Sequence, residues 1–376
     1  MPSAWRDGGS VFQSMAWLES SLSARKPRRF LGLRFREGDI DRGWAAFESP
    51  ASGWWRPAGS GGADFLDVVA EPGYEEAVAN AFARWFEGRR DWLWIDLPQA
   101  RPGSVVERVP GVVASEGETC PFLVLPEDWE TFRRGLGKSL RGNIGYYGRA
   151  LAKLGEVEVR TATAQTLETD LDAFFTLHQQ RWRARWMPGA FADSGARAFH
   201  RDLAGRLVEQ DRLRLHTLRL GGRPIAAIHC MVGGDETAYY LGGFDPEFAR
   251  WSPGTVLTAH AIRTAIERDG SRRFEFLRGD ERYKYAWGAK DRRNRRFGLA
   301  RGLAGEMLRR FGARQLAAEM ALKGRMHSLH GGAGARPVDA SRKEQDGSTG
   351  KEPVNGGAVG ASGTSPAATA GKGTRR

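Results

Sequence analysis

One apolar stretch of this chain ends in a short run of residues whose side chains can transfer protons. Gly279-Asp280-Glu281-Arg282-Tyr283-Lys284 follows RRFEFL, which reads as a β-strand. A carboxylate can take a proton from an acceptor and a phenol can protonate a leaving group. Strand ends are also where α/β proteins place reactive groups. Asp280 and Lys284 are therefore the first catalytic candidates, followed by Tyr283, and the competing interpretation is a loop held by salt bridges.

Two further candidates for a general base lie upstream. His229 stands in a run that is apolar on both faces, so a hydrogen-bonded core histidine is the favoured interpretation and a catalytic base the alternative. Asp245 stands just past the next run, where carboxylates cap or turn the chain at least as often as they catalyse.

A candidate phosphate site precedes a predicted helix. In Ser252-Pro253-Gly254-Thr255 the serine is placed as the N-cap and the proline near the first helical position. The free N–H groups and the positive end of such a helix suit a pyrophosphate, although a plain N-cap explains the same residues. Gly242, Gly243 and Phe244 end the preceding strand. Two glycines there would let an extended ligand pair with the backbone, and the alternative is a bulge.

The elements that must position these residues form a series of three strands, a helix and a strand between Leu213 and Gly288. Three runs rich in β-branched and aromatic residues, RLRLHTLRL, RPIAAIHCMV and ETAYYLGGF, are separated by Gly-Gly pairs. This pattern is typical of tightly turned antiparallel strands. Apolar residues from Val256 to Ile266 then recur at helical spacing, and Gly270 ends the predicted helix.

At these residues the sequence resembles a known family. The run SPGT…AI..AIERDG…FEFLRGDERYKYAWGA is similar to the GNAT-type acyltransferase domain of bacterial polysaccharide-biosynthesis proteins of the cellulose CelD type, which are related to the Fem aminoacyl transferases. The resemblance extends from about Cys120 to Gly298. Its most specific part is Gly279-Asp280-Glu281 followed by Tyr283-Lys284 and Trp287.

The resemblance implies a fold, a donor and further site residues. The fold would be GNAT-like α/β with a mostly antiparallel sheet and flanking helices, and the donor would be acetyl-CoA or another acyl-CoA. Arg181 and Trp182 match a basic-aromatic pair of the family pattern and are expected to bind substrate. In most GNAT proteins a glycine-rich phosphate cradle precedes the helix, but this chain has EFARWSPGT instead, a departure shared by the polysaccharide branch.

The 376 residues, 41% of them hydrophobic, allow two modest domains and a tail. Residues 1–125 are predicted to form a degenerate α/β half, with a helix at 11–22, a loop from Trp44 to Gly62, a strand at 63–70, a helix at 74–89 and a strand at 92–97. Residues 126–328 form the predicted acyltransferase domain, with helices at 128–154 and 171–186 and a strand at 156–160. Residues 329–376 are predicted to be a disordered tail, because from Gly331 onward no Leu, Ile, Met or aromatic residue occurs.

Composition narrows the class of protein further. The two cysteines, Cys120 and Cys230, form no motif with histidine, so neither a disulfide framework nor a metal site is expected. No apolar run approaches the length of a membrane span or a signal peptide, and a cytoplasmic location is expected.

Basic residues are concentrated near the end of the predicted domain. Between Arg282 and Arg325 thirteen Lys and Arg stand against three acidic residues, in a chain whose net charge is +12. Such a surface favours tRNA or an anionic membrane face, with a solvated basic surface as the alternative. A terminal helix at 303–325, with Met307, Leu308, Phe311, Leu316 and Met320 as its apolar side, is expected to dock on the domain, and the alternative is that it lies on a membrane.

The sequence therefore supports a GNAT-type acyltransferase that moves an acyl group from acyl-CoA to an amine or sugar hydroxyl, in polysaccharide or cell-envelope biosynthesis. Backbone N–H groups near Gly242 would stabilise the oxyanion, and Tyr283 would protonate the leaving thiolate. The alternatives are a Fem-like transferase that uses aminoacyl-tRNA and a non-catalytic accessory of a polysaccharide synthase.

Overall fold

The computed structural model describes residues 9–27, 29–184, 187 and 189–330. They form two mostly antiparallel sheets flanked by helices, which confirms the predicted mixed α/β class. The helices are α1 (Met15–Arg25), α2 (Glu75–Glu87), α3 (Trp129–Gly135), α4 (Lys138–Ala152), α5 (Leu167–Arg183), α6 (Ser194–Glu209), α7 (Pro253–Glu267), α8 (Arg282–Ala286) and α9 (Gly302–His330). Short 3-10 turns lie at Val11–Gln13, Val105–Arg108 and Pro246–Trp251.

The first sheet holds seven strands. They are β1 (Phe30–Glu37), β2 (Ile40–Ala51), β3 (Gly53–Pro57), β4 (Val69–Ala70), β5 (Trp92–Ala100), β6 (Val113–Thr119) and β13 (Arg293–Ala300). The order is β1-β2-β3-β5-β13-β6, with β4 beside β2, and only β3 and β5 pair in parallel. Helix α2 buries Val78, Phe82 and Phe86 against this sheet, and the Phe82 ring stacks on Phe47 at 5.5 Å.

The second sheet contains β7 (Phe122–Val124), β8 (Val157–Thr161), β9 (Leu213–Leu220), β10 (Arg223–Gly233), β11 (Glu236–Phe244) and β12 (Arg273–Glu275), in the order β7-β12-β11-β10-β9-β8. The predicted meander is confirmed as β9, β10 and β11, and the helix that follows it as α7. Gly221 and Gly222 both adopt positive φ between β9 and β10, which a tight hairpin turn requires and which glycine permits without strain.

Helices cover both faces of the second sheet. On one face, α1, α5 and α6 contribute Trp17, Phe174 and Leu203 to a common core. On the other, α7 and α4 bury Leu257 and Leu151. The helices predicted at 128–154 and 171–186 are confirmed. The first is divided into α3 and α4, and the second lies in α5 and is described as far as Ala184.

The loop expected from Trp44 to Gly62 is wrong, because this stretch contains most of β2 and all of β3. In β3 the buried and half-buried residues alternate, and Trp55 is only 4% exposed. The Trp54 ring stacks on Trp94 of β5 at 5.2 Å and 9°. Cross-strand aromatic packing of this kind stabilises a sheet even where glycines interrupt the sequence.

The strand expected at 63–70 is also wrong, since only Val69 and Ala70 pair, as β4. Phe65 adopts a left-handed conformation with φ 56°, which ends any extended run. The carboxylate of Asp67 accepts hydrogen bonds from the N–H groups of Val68, Val105 and Val106. These bonds hold the segment in an irregular conformation around this side chain. Burial raises the pKa of Asp67 to about 6.

Strands cross the position predicted as the domain boundary. β7 begins at Phe122 and joins the second sheet, whereas β13, which follows the second sheet in sequence, lies between β5 and β6 of the first. No strand was predicted for 293–300. The division of the chain at residue 125 stays a prediction.

Buried ion pairs join the two sheets. Arg101, just after β5, binds Glu236 of β11 at 2.8 Å, and Arg292, just before β13, binds Glu275 of β12 at 2.7 Å. Both guanidinium groups lie over the Phe65 ring, at 3.6 and 4.9 Å. Because the two carboxylates are almost fully buried, each depends on its arginine partner.

Helix α9 docks on β5 and β13, but through a different side from the one predicted. Its contact residues include Gly305 and Gly312, where a side chain would collide with Leu93 and Trp94. Met307 and Phe311, expected to dock, are 72% and 67% exposed, and Leu308 is 38% exposed. The side chains of Leu316 and Met320 and residues 331–376 of the predicted tail lie outside the described part. None of the described helices combines the length and apolarity needed to cross a bilayer.

Candidate active site

The main feature of the site is a strand edge with no partner. β11 and β12 run side by side only from Glu236 to Ala238 on β11. Beyond Ala238, β11 continues to Phe244 with no strand on that side in the described residues. Phe276 and Gly279 donate their N–H groups to Pro121 and Thr119 instead. Residues 239–244, here called the free edge of β11, offer backbone groups with which an extended ligand can pair.

A bulge interrupts β11 within the free edge. Cys230 of β10 faces Tyr239, and His229 faces Leu241, so Tyr240 is an extra residue. Tyr240 and Leu241 therefore both pack toward α5 and α6, while Tyr239 packs on the opposite face. This bulge was the alternative interpretation of the glycine pair that follows.

Gly242 and Gly243 are both required by close packing. A Cβ on Gly242 would collide with the hydroxyl of Tyr239. A Cβ on Gly243 would lie 2.5 Å from the Cα of His178, so helix α5 approaches β11 this closely only over glycine. Their predicted role in cofactor binding stays a prediction.

Arg181, near the end of α5, lies beside the free edge, and the next residue, Trp182, contacts His178 one turn earlier on the same helix. Arg181 donates Nη1–H to the Gly242 carbonyl at 3.2 Å, and its guanidinium lies 5.3 Å from the Phe244 ring centre. Trp182 donates Nε1–H to Nε2 of His178 at 2.9 Å. The structure therefore brings Arg181, Gly242 and Phe244 together, and their predicted roles in binding substrate and cofactor stay predictions.

Lys284 is buried beneath the loop that leads into α8. Its Nζ donates to the carbonyls of Arg278 and Gly279 at 3.0 Å and of Leu277 at 3.3 Å, and it pairs with Glu281 at 2.8 Å. Leu277 and Gly279 both have positive φ, so this ammonium holds a turn of unusual backbone. The geometry gives Lys284 a positioning role, and its catalytic role remains untested.

Asp280 and Tyr283 lie on the same loop. Asp280 is exposed at the loop surface. Tyr283 is 40% exposed, but burial of its hydroxyl, with Tyr239 and Glu281 nearby, raises its pKa above the ordinary value. Tyr283 therefore keeps its proton at neutral pH and can act as a proton donor.

Tyr239 was not among the predicted site residues. Burial raises the pKa of its hydroxyl to about 12, and the positive charge of Arg181 opposes that rise. The phenol lies against the Gly242 backbone, so it borders the free edge directly. Its position three residues before the Gly242-Gly243 pair is the sequence signal that could have indicated it.

The N-terminus of α7 is open but lacks the predicted cap. Ser252 is in the left-handed conformation with φ 45°, and its side chain makes no capping hydrogen bond. Ser252 does occupy the N-cap position with Pro253 after it, as predicted, but its left-handed backbone is not the extended conformation from which an N-cap side chain usually reaches these N–H groups, and the Ser252 carbonyl accepts the Thr255 N–H at 2.9 Å instead. A Cβ built on Gly254 would have no atom within 4 Å. Helix α4 packs against both α7 and the turn before it, with Lys138 exposed on its surface.

His229 lies in the core, as favoured, but without the expected hydrogen bond. Neither ring nitrogen has a partner among the described residues, and burial lowers its pKa to about 4. The rings of Phe174, His200 and Tyr240 surround it at 5.6 to 6.0 Å. His229 is therefore a neutral imidazole at pH 7.

Asp245 caps the 3-10 turn that leads to α7. Its Oδ1 accepts the Glu247 N–H at 3.0 Å, and its Oδ2 binds Arg223. The carboxylate is 5% exposed. These contacts match the turn-forming interpretation, and the catalytic role of Asp245 stays untested.

The basic segment 282–325 carries less free charge than its composition indicates. Arg292 and Arg296 bind the buried carboxylates of Glu275 and Asp96, and Arg293 and Arg295 pair with acidic residues of the first half. Among the described residues no three His, Cys, Asp or Glu side chains are grouped closely enough to hold a metal ion.

Part of this chain is similar to a known protein family, and the whole fold is similar to several solved structures. Residues 138–285 match the family model described as "Acetyltransferase (GNAT) domain". No curated protein matches the chain by sequence. The structure of FemX superposes with a TM-score of 0.61 at 10% identity, covering 82% of this chain and 96% of that one. L-PGS from Bacillus licheniformis gives 0.55 at 13% identity, with 83% and 94% covered.

The C-terminal domain of a putative lysylphosphatidylglycerol synthetase from Agrobacterium fabrum gives a TM-score of 0.52 at 13% identity, with 77% and 90% covered. At such identities the likeness concerns the fold. The free edge of β11 and its bulge lie inside the part that the family model matches. Residues 138–285 are thus similar to a GNAT acetyltransferase domain, and the two-sheet architecture around them is similar to those of FemX and L-PGS.

Proposed function

We propose that residues 126–328 transfer an acyl group from acyl-CoA, with acetyl-CoA as the first candidate, to an amine or hydroxyl acceptor. The observation that carries this proposal is the parting of β11 from β12 after Ala238. It leaves a strand edge on which the amides of a pantetheine arm can add as a short extra strand. The open N-terminus of α7 at Gly254 follows along the chain and would receive the pyrophosphate.

Transfer in this site is direct. Asp280 takes the proton of the acceptor, which attacks the thioester carbonyl. Backbone N–H groups at the free edge stabilise the oxyanion. The tetrahedral intermediate then expels the thiolate, which receives a proton from Tyr283. Arg181 and Trp182 border the acceptor, and Lys284 keeps the loop with Asp280 and Tyr283 in place.

The alternative donor is aminoacyl-tRNA, as in the Fem aminoacyl transferases that the sequence resembles. It is favoured by the two-sheet architecture, which covers 96% of FemX and 94% of L-PGS. The setting we propose for either reaction is the cytoplasmic side of cell-envelope or polysaccharide synthesis.

Thermal stabilisation separates the two donors. A ligand at a hundred times its dissociation constant stabilises a protein by about 2.7 kcal/mol. We expect acetyl-CoA or a longer acyl-CoA to raise the melting temperature, and stabilisation by aminoacyl-tRNA alone would replace the first donor with the second. With the donor identified, Asp280→Asn should lower kcat by about a hundredfold or more and leave donor binding unchanged. An unchanged kcat would remove Asp280 from the mechanism.

A further inference from the structure

Helix α9 presents an apolar face to solvent. Leu303, Met307 and Phe311, spaced four residues apart, are 88%, 72% and 67% exposed. Residues at this spacing lie one above another on a helix, so the three side chains form one continuous stripe. The opposite side of the helix, at Gly305 and Gly312, is buried on the first sheet. The orientation of the stripe is therefore fixed by packing.

Arginines lie beside the stripe. Arg310 and Arg314 are both exposed on α9. Glu306, one turn before Arg310, is bound by Arg309 and Arg310 at 2.7 Å, so its charge is already compensated. The exposed face of α9 thus combines large apolar side chains with positive charge.

We propose that the exposed face of α9 binds the surface of an anionic lipid bilayer, with its axis along the membrane plane. The stripe would enter the boundary between headgroups and acyl chains, and the two arginines would contact lipid phosphates. This surface is separate from the candidate active site and does not depend on the proposed function.

Charge and polarity favour a membrane over other occupants. A second copy of this chain would bring its own arginines against Arg310 and Arg314, and like charges repel. A nucleic acid would satisfy the arginines but leave Leu303 and Met307 against a charged backbone. An anionic bilayer satisfies both parts of the face at once.

The test is flotation of the full chain with vesicles of about 30% phosphatidylglycerol in phosphatidylcholine and with pure phosphatidylcholine, at low and high salt. We expect binding to the anionic vesicles that weakens as salt rises. Met307→Gln with Phe311→Gln should reduce the partition coefficient about tenfold or more, because the two largest anchors are lost. Arg310→Gln with Arg314→Gln should reduce it by about fivefold for each arginine.

The matched control is Phe30→Gln with Ile40→Gln. These residues are 46% and 53% exposed on the β1–β2 hairpin, at the far edge of the first sheet from β6. The control should bind vesicles as the parent chain does, and all variants should keep the parent melting temperature. No binding to anionic vesicles, or equal loss in the control, would overturn the proposal. A dimer that Phe311→Gln dissociates, or RNA binding that it abolishes, would assign the face to that partner instead.

Discussion

Replacing His229 with leucine should remove part of the acid sensitivity of this protein. The imidazole is 0% exposed, neither nitrogen has a hydrogen-bond partner in the described residues, and burial lowers its pKa from 6.5 to about 4. Between these two values the unfolded chain binds a proton at this position and the folded chain does not. Folding stability is therefore complete above pH 6.5 and falls as the pH drops toward 4.

The size of the effect follows from the two pKa values. Each pKa unit corresponds to 1.36 kcal/mol. The titration of His229 therefore lowers the free energy of unfolding by about 2 to 3 kcal/mol between about pH 7.5 and pH 4.5. Leucine has a similar volume and no proton to bind, so His229→Leu should lose that much less stability than the parent over this range. His178, whose pKa burial also lowers to about 4, and Asp67 titrate equally in both proteins and cancel in the comparison. The pKa of His200, whose ring lies 5.8 Å from that of His229, is lowered chiefly by its own burial, which both proteins share, and only secondarily by His229.

The assay is urea unfolding followed by tryptophan fluorescence at several pH values, which the thirteen tryptophans make sensitive. His229→Gln is the control, because glutamine does not titrate but keeps an unpartnered polar group in the core. Both variants should show the flatter pH profile, and at pH 7.5 leucine should be the more stable of the two. The same acid loss in parent and variants would refute a neutral, buried His229.

Lys284→Met tests the contacts that hold the loop before α8, and a matched pair of arginine substitutions tests a buried and an exposed ion pair. Lys284→Met should destabilise the protein by about 3 kcal/mol, because the carbonyls of Leu277, Arg278 and Gly279 lose their common donor; a melting temperature within a degree of the parent would contradict this role. Arg292→Glu should cost about 3 kcal/mol or more, because it sets a second carboxylate against buried Glu275, whereas Arg293→Glu, whose pair with Glu116 is exposed, should cost about 1 kcal/mol or less. The free energies of unfolding of the Arg292→Glu and Arg293→Glu variants are measured with denaturant, and equal decreases in the two would contradict the role given to burial of the Arg292–Glu275 pair.

Local spacing was sufficient to predict the second sheet but not the first. The meander and α7 follow from Gly-Gly turns and from a 3.6-residue apolar period, both of which are local properties of the chain. β13 was missed because RNRRFGLA reads as a charged surface. Its arginines are accommodated by Asp96, Glu107 and Glu116, which are distant in sequence.

For the candidate site, the sequence named residues by their chemical type, but it did not predict which of them contact one another. Arg181 was singled out by its residue type, whereas its contacts with Gly242 and Phe244 are seen only in the structure. The burial of Lys284 could not be read from the sequence, because it depends on how residues 277–279 turn, whereas a bulge in β11 was the alternative interpretation of the glycine pair and is found at Tyr240. Ser252 looked like a cap because its side chain is the right type, and only the backbone geometry shows that the hydroxyl is not used.

In the proposed function the acyl donor lies along the free edge of β11 with its pyrophosphate at the N-terminus of α7. Gly254→Asp tests it most directly, because a side chain at Gly254 meets no atom within 4 Å and should leave the fold intact. Gly205→Asp, at an equally open position on α6, is the matched control.

The measurement is calorimetric titration of acetyl-CoA into the parent and both variants, beside their melting curves. We expect Gly254→Asp to raise the dissociation constant about tenfold or more, equivalent to about 1.4 kcal/mol, and Gly205→Asp to leave it unchanged. Equal affinities in all three proteins, with melting temperatures preserved, would contradict the phosphate site and with it the proposed position of the donor.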